Sequence, residues 1–462
     1  MSAAISLPAD LVAWIEQTAG GRLVAAERRP GGARKEAWFV DVERPDGSVD
    51  ELFLRYDRSD PSKTADPWTL HREATVYLAL QGSAVPVPRV LGVHDVHQAM
   101  LSERLAGGNW FSRIADPDEQ ERTARDFITK LAALHRIDPA TLDLPLFPRV
   151  TTVPDAVHHE LDEWDDVIAR PGGDPDPALE FTLRWLRRNV PDYAGPVVLV
   201  QGDTGPGNFM YADGRVVAVV DWELAHFGDP MDDVAWLALR ATQEPFTDFP
   251  TRLREYEALS GNTVDEARVR YYQVMAEAKL LVMAHGRGGA GRDAGAEGGG
   301  GDVGNGLIYG FLHRRLWMEA LAGAVGLELT AAEVPPSPEA ADHDWLYGAV
   351  LDQLRDVIVP RIADPLASVR AKGLARVVKY LASINAYGAF YDQCEIDDLG
   401  RLLGTRPTSK AAGRAAAAAA VRADRLTDEQ YLGYLWRRVA RDTELARPAM
   451  GALADRHWPP LR

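Results

Sequence analysis

Three oxygen-bearing side chains lie close together in this sequence: Asp203, Asn208 and Asp221, within VVLVQGDTGPGNFMYADGRVVAVVDWELAHFGDPMDDVAWLAL (residues 197–239). An apolar run at 196–200 reads as a buried strand and leads into Gln201-Gly202-Asp203. A glycine-rich turn follows, Asn208 opens a second short strand, and the turn Ala212-Asp213-Gly214 sends the chain back along 215–220. Asp221 stands where that returning strand ends. The spacing predicts that all three side chains meet at one end of neighbouring strands. A carboxylate placed there can orient a hydroxyl group or accept its proton. An amide oxygen and a second carboxylate suit Mg²⁺, a hard cation that prefers oxygen ligands and neutralises a triphosphate. The chemistry implied is phosphoryl transfer from a nucleotide such as ATP. Singly, each residue reads as a turn or capping residue; the order of the three, bracketed by two strands, carries the reading.

Several elements must position such a site. Residues 37–43 (AWFVDVE) and 51–56 (ELFLRY) read as a hairpin around Pro45-Asp46-Gly47. Residues 68–80 carry apolar side chains at helical spacing, and a further strand is expected at 99–104. Strand, strand, helix, strand makes an α+β lobe. Helices dominate from residue 119 onward, at 121–135, 176–189, 231–240, 251–259 and 265–285. Residues 341–462 read as all helix, with 344–359 and 366–391 the longest periodic segments. The stretch GRGGAGRDAGAEGGGGDVGNG (286–306) is expected to be a surface loop, because ordering so many glycines costs backbone entropy. The alanine run at 415–420 predicts an exposed helix.

Asp-x4-Asn followed thirteen residues later by Asp is the catalytic-loop and metal-loop pattern of kinases. Here the sequence resembles the aminoglycoside phosphotransferase and choline kinase-like superfamily of small-molecule kinases. Gln201-Gly202-Asp203 through Asn208, Val220-Asp221-Trp222-Glu223, Gly228-Asp229-Pro230 and Asp233-Val234-Ala235 carry the resemblance. It implies Asp203 as catalytic base and Asn208 and Asp221 as Mg²⁺ ligands. The superfamily's usual histidine is Gln201 here; that position is mainly structural, and an amide also donates and accepts. Gln201, Asp229 and Asp233 are assigned to loop structure, with Asp229 and Asp233 as turn and helix N-cap residues; His226 and His135 are likewise structural. On the nucleotide side, Gly31 and Gly32 sit in a loop expected over the phosphates. Arg55 ends a strand where kinases place a lysine, Glu73 on the next helix is its expected partner, and Glu103 lies in the hinge segment 100–105 that would meet adenine. The chain looks closest to the kinase domains fused to acyl-CoA dehydrogenases, whose strand similarly ends Leu-Arg.

The resemblance implies a bilobal protein-kinase-like fold: an N-lobe of antiparallel sheet plus helix (1–105), a mainly helical C-lobe with the catalytic and metal loops (106–330), a proline-rich linker (331–341) and an all-α C-terminal domain (342–462). That last domain resembles small helical domains found with such kinases, and it is the expected place for homo-oligomer or partner-protein contacts. The implied function is an ATP- and Mg²⁺-dependent small-molecule kinase acting on a substrate hydroxyl, with a hydroxyacyl-CoA or similar metabolite as acceptor. The alternatives are an aminoglycoside-type antibiotic phosphotransferase, a regulatory pseudokinase that binds nucleotide without transferring phosphate, and an interaction scaffold. Retention of both Asp203 and Asp221 argues against the last two.

Composition sets outer bounds. The 462 residues are 46% hydrophobic and 26% charged, ordinary for a globular protein and unlike a disordered one. The net charge of −17 disfavours nucleic acid as a partner. Residues 341–462 carry 18 Lys+Arg against 15 Asp+Glu, so the acidity belongs to the preceding part of the chain. A lone cysteine, Cys394, excludes an internal disulfide and fits a reducing compartment. The opening MSAAISLPADLVAWIEQ shows no basic leader or continuous apolar segment, and no apolar stretch reaches the roughly 18–20 residues of a membrane span. A cytoplasmic protein without membrane contact is expected.

Overall fold

Alternation builds the first sheet. In β2 (Glu36–Glu43), Trp38, Val40 and Val42 point to one side and are buried, while Phe39 and Asp41 point to the other and are half-buried. β3 (Val49–Asp57) pairs antiparallel with it across the Pro45-Asp46-Gly47 turn, as the sequence predicts. β1 (Arg22–Arg29), β4 (Val90–Val93) and β5 (Gln98–Glu103) complete a five-stranded antiparallel sheet of order β1-β2-β3-β5-β4. Helix α1 (Ala9–Ala19) lays Leu11 and Ile15 against Trp38, Val40, Leu54 and Leu101 to form the core of this lobe. Helix α2 (Leu70–Leu80), N-capped by Thr69, packs on β5. These coordinates are a computed structural model that describes residues 7–29, 35–58, 67–169, 177–293, 303–338 and 342–462.

Helix α3 (Pro117–Leu134) begins the mainly helical part and is followed by α4 (Val153–Ile168) and α5 (Pro177–Arg188). Next come four short strands: β6 (Val198–Val200) pairs with β9 (His226–Gly228), and β7 (Phe209–Ala212) pairs with β8 (Arg215–Val219). The β7–β8 turn places Asp213 and Gly214 at φ 50° and 75°, the two positive values that a tight hairpin of matching twist requires. Phe127, Phe209, Phe111 and Phe246 stack beneath this hairpin, with Phe127 and Phe209 ring centres 4.4 Å apart. Helices α6 (Pro230–Gln243) and α7 (Phe249–Ser260) follow. An antiparallel-sheet lobe followed by helices and short strand pairs is the expected protein-kinase-like arrangement.

Two compact units divide the chain: Met1–Val157 with Asp192–Glu266 and Pro459–Arg462, and His158–Pro191 with Ala267–Trp458. The expected break at 331–341 therefore does not separate compact bodies. Helices α8 (Glu266–Asp293) and α9 (Val303–Val325) belong with α10 (Trp345–Asp352), α11 (Pro365–Leu403), α12 (Lys410–Arg422) and α13 (Asp428–Met450). The reason lies in side chains that tie residues 331–338 down. Arg441 donates to Glu333 over 2.7 Å, the Tyr391 hydroxyl donates to the Glu333 carbonyl, and Trp436 donates to the carbonyl of Thr330.

Two local expectations change as well. The first eight residues of the glycine-rich stretch continue α8 and its last four open α9, so only 294–302 lie outside the described residues. Extending a formed helix needs one hydrogen bond per added residue, which offsets part of the glycine cost. The alanine run does form a helix, α12, but Ala417, Ala418 and Ala420 are buried rather than exposed. Small side chains let α12 approach α5 closely. Among the described residues, no helix is long and apolar enough to cross a membrane.

Candidate active site

Gln201 follows β6, all three of whose residues are buried. The loop from Gln201 to Asn208 is folded around Asp233, in the first turn of α6. The Asp233 carboxylate accepts hydrogen bonds from the backbone N–H of Gln201 (2.9 Å) and Gly202 (3.0 Å) and from the Thr204 hydroxyl. His135 Nε2 lies 3.0 Å from the same carboxylate, and its Nδ1 lies 2.7 Å from the Tyr256 hydroxyl. A neutral imidazole that donates from Nε2 and accepts at Nδ1 satisfies both contacts. Asp233 is thus not a helix cap but the buried anchor of the loop; Asp229 is the cap, accepting from the backbone of Met231. Gln201 supplies the remaining support: its Nε2 donates to the Val220 carbonyl at 2.8 Å, and its Oε1 accepts from Thr204 at 3.1 Å. His226 turns back on the carbonyl of Leu224 and approaches Asp232 at 3.2 Å.

Glycine is required at two points of this loop. Gly202 has φ 79°, and a Cβ there would sit 2.4 Å from the carbonyl oxygen of Leu224. Gly205 has φ 138°, and a Cβ there would meet Cβ of Arg240 at 2.7 Å. The bare backbone brings the loop against residues 221–225 on one side and α6 on the other.

This packing gathers the three predicted oxygens. Asn208 Nδ2 donates to both the carboxylate (2.7 Å) and the main-chain carbonyl (2.8 Å) of Asp203. The Asn208 carbonyl accepts from the N–H of Val220, next to Asp221. With its amide nitrogen committed to Asp203, Asn208 keeps its Oδ1 for another partner. Asp221 sits at φ 64°, a costly conformation for a non-glycine residue, held by its N–H bond to the Tyr77 hydroxyl at 3.1 Å. Its Oδ1 is sealed from solvent with no hydrogen-bond partner. Burial pushes the Asp221 carboxyl up to about 7; Arg55 opposes the shift, and Glu223, Glu73 and Asp203 reinforce it. Burial also raises Asp203, against the pull of Arg240. Arg240 donates Nε to Asp203 Oδ1 at 2.7 Å and its Nη2 to Oδ2, a two-pronged clamp.

The cations come from the sheet lobe. Arg55 Nη2 lies 3.8 Å from Glu73 and 3.9 Å from Asp221, so the expected Arg55–Glu73 pair is present. The closer partner of Glu73 is Lys35, just before β2. Its Nζ lies 2.9 Å from Glu73 and 2.9 Å from Glu223. Burial works to lower the Lys35 ammonium, but Glu73 and Glu223 overcome it and the net direction is up. Burial likewise works against Arg55, and Glu73 and Asp221 more than reverse it. Both stay cationic. Beside Glu73, Arg72 donates to the carbonyls of Glu223 (3.3 Å) and Ala225 (2.8 Å) and lies 4.2 Å over the Phe147 ring, joining α2 to the Asp221 loop. Glu103 is placed differently: its carboxylate accepts from the N–H of Arg89 at 2.8 Å, which commits it to the β4–β5 pairing. Gly31 and Gly32 lie outside the described residues.

The family model for the phosphotransferase enzyme family (APH) matches residues 25–277, more than half of the chain. The chain belongs to that family. Acyl-CoA dehydrogenase family member 11 of Rattus norvegicus is 32% identical over 180 residues, 37% of this chain and 23% of the relative. The Gallus gallus protein of the same name is 31% identical over 191 residues, 39% of this chain and 23% of the relative. The chain thus spans about a quarter of those relatives' length. Among solved structures, the apoenzyme of macrolide 2′-phosphotransferase MphH from Brachybacterium faecium is 21% identical and covers 63% of this chain and 100% of its own, with a TM-score of 0.43.

Sequence reasoning missed Lys35, Glu223, Arg72, Tyr77 and Arg240. Lys35 had a signal: it is one of only seven lysines in the chain, and it follows the glycine pair expected over the phosphates. Arg240 had none, since it lies 37 residues from Asp203 and meets it only through the packing of α6.

Proposed function

We propose that this chain transfers the γ-phosphoryl group of ATP to a hydroxyl of a small metabolite, with Mg²⁺ as the metal. The observation that carries the reading is the Asp203–Asn208–Asp221 cluster, with a buried, unpartnered oxygen on Asp221 facing the cations of the sheet lobe. An orphaned carboxylate oxygen and a free amide oxygen suit a hard divalent cation. Asn208 Oδ1 and the Asp221 carboxylate are the groups to hold Mg²⁺, which when bound neutralises charge on the phosphates.

Asp203 orients the acceptor hydroxyl and takes its proton as the new O–P bond forms and the bond to the leaving ADP oxygen breaks. Arg240 and Asn208 fix the Asp203 carboxylate in place, and its raised pKa makes it the better base. Lys35 and Arg55 supply positive charge for the α- and β-phosphates, with Glu73 and Glu223 fixing the ammonium. Gln201 makes two of the loop's supporting hydrogen bonds in place of the superfamily's histidine, which favours an active enzyme over a nucleotide-binding pseudokinase. For the acceptor we propose a hydroxyacyl-CoA or related hydroxylated metabolite, supported by the acyl-CoA dehydrogenase names of the relatives.

A panel of hydroxyacyl-CoA esters, free hydroxy acids and aminoglycosides, assayed for Mg²⁺-dependent ADP release, tests the reading. Turnover with one class and none with Asp203→Ala is expected. Silence across the panel with intact ATP binding overturns it.

A further inference from the structure

Ten of the 19 exposed large apolar side chains among the described residues fall between 345 and 384, in the helical unit. That stretch is a helical hairpin. Its first arm is α10, which continues through a wider π-type turn (Gln353–Ile358) and a short 3₁₀ turn (Val359–Arg361). Its second arm is the start of α11. Asn385 on the second arm donates to Asp344 at the base of the first at 2.9 Å, so the two arms run side by side in opposite directions. On α11, Leu366, Val369, Leu374, Leu381 and Ile384 fall within one stripe about 140° wide at 100° per residue. Leu374, Val377, Leu381 and Ile384 follow the three-four alternation of a helix seam. On the first arm, Trp345, Leu346, Val350, Val357 and Ile358 are exposed.

A solvent-facing helix normally carries charge on such a stripe. These ten side chains are 38–68% exposed, from Ile384 to Trp345. On side chains of roughly 150–250 Å² they offer on the order of 800 Å² of apolar surface, against a few hundred for the largest patch of an ordinary monomer. About 800 Å² is what each partner contributes to a stable protein–protein interface. A seam-like stripe on a helix is also a surface that a two-fold axis can pair with itself, because each copy brings both the knobs and the holes.

We propose that the hairpin formed by α10 and the first half of α11 is a homodimer interface, occupied by the same hairpin of a second copy. Leu374 and Leu381 lie on its α11 stripe, and Trp345 opens its first arm.

Sedimentation equilibrium of the full chain over a concentration series tests this. The expected result is a species of twice 50.7 kDa. Leu381→Glu and, on the other arm, Trp345→Glu are each expected to raise the dimer dissociation constant by at least about 30-fold, while the far-UV circular dichroism stays unchanged. Should either charged variant melt early, the pair Leu374→Ala and Leu381→Ala keeps helix propensity and gives the same reading. A monomer at every concentration overturns the proposal. So does a dimer that none of these substitutions weakens, or a chain that stays monomeric and instead binds vesicles of zwitterionic or anionic lipid.

Discussion

Asp221, half-buried with one oxygen sealed from water, and Asp398 of the helical unit, fully buried, are aspartates whose surroundings treat them in opposite ways. Asp398 accepts from Arg401, Arg437 and Arg441, and Arg441 also grips Glu333. Burial pushes Asp398 up, and these guanidinium groups more than reverse it, so its carboxyl lies below the usual range. Glu395 follows the same pattern with Arg414 and the Tyr434 hydroxyl. Asp221 has one cation at 3.9 Å, an oxygen with no partner, and a carboxyl raised to about 7. A carboxylate whose lone pairs are all met holds helices together. One kept short of partners, on strained backbone, is held ready for a group that arrives from outside.

The largest test removes the base. Asp203→Ala is expected to lower kcat by about 10²–10⁴, the usual worth of a positioned proton acceptor, while calorimetry finds ATP affinity little changed. Equal loss of both would make Asp203 a scaffold for the loop, and the contrast with Asp398 would fail.

Next is the matching deletion in the helical unit. Asp398→Ala strands three arginines, and chemical denaturation is expected to show a loss of about 3–5 kcal/mol with kcat unchanged. The pH dependence separates the two aspartates by sign. The Asp398 contribution is present above the unfolded-state pKa of about 4 and is lost as pH falls through its lowered native value. Asp221 is raised, so its ionisation opposes folding increasingly as pH climbs from about 4 towards 7. Melting temperatures without divalent metal are therefore expected to rise with Asp221→Asn at pH 8 and converge with wild type near pH 4. Asp398→Asn is expected to melt below wild type at pH 8.

A smaller effect is expected from the cations. Lys35→Met should cut kcat/KM for ATP by about 10², the worth of one well-placed donor, and Arg55→Leu by less, because Arg55 stands farther from both of its carboxylates. The reverse ranking would return the leading role to the β3 arginine that the sequence pointed to.

That ranking marks where reading the sequence stopped. Asp203, Asn208 and Asp221 are legible because a strand, a glycine turn and a hairpin bring them together within 19 residues. Lys35, Arg72 and Arg240 reach the site only through the sheet register, the seating of α2 and the packing of α6, none of which local spacing encodes. β1 escaped notice because just one of its eight residues, Leu23, is buried, so it shows no alternation. The compact units were misplaced for a related reason: the proline-rich segment looks like a spacer, yet Arg441 and Trp436, more than 100 residues away, fasten it down. Burial of the alanine run was hidden because alanine serves an exposed helix and a tight helix contact equally well.

Gln201 gives the smallest and most discriminating change. Its side chain donates to the Val220 carbonyl and accepts from Thr204, one bond of each kind. A neutral imidazole also offers one donor and one acceptor, so Gln201→His, which restores the superfamily's usual residue, is expected to alter kcat by no more than a few-fold. Gln201→Ala leaves the Val220 carbonyl without its side-chain donor inside the loop and should cost about 1–3 kcal/mol in stability, with a drop in kcat that follows the loosened Asp203 rather than any lost contact to substrate. A gain of 100-fold or more with histidine would mean that the glutamine holds the loop in an inactive shape, and that Asp221 is kept unpaired for binding a nucleotide rather than for turning it over.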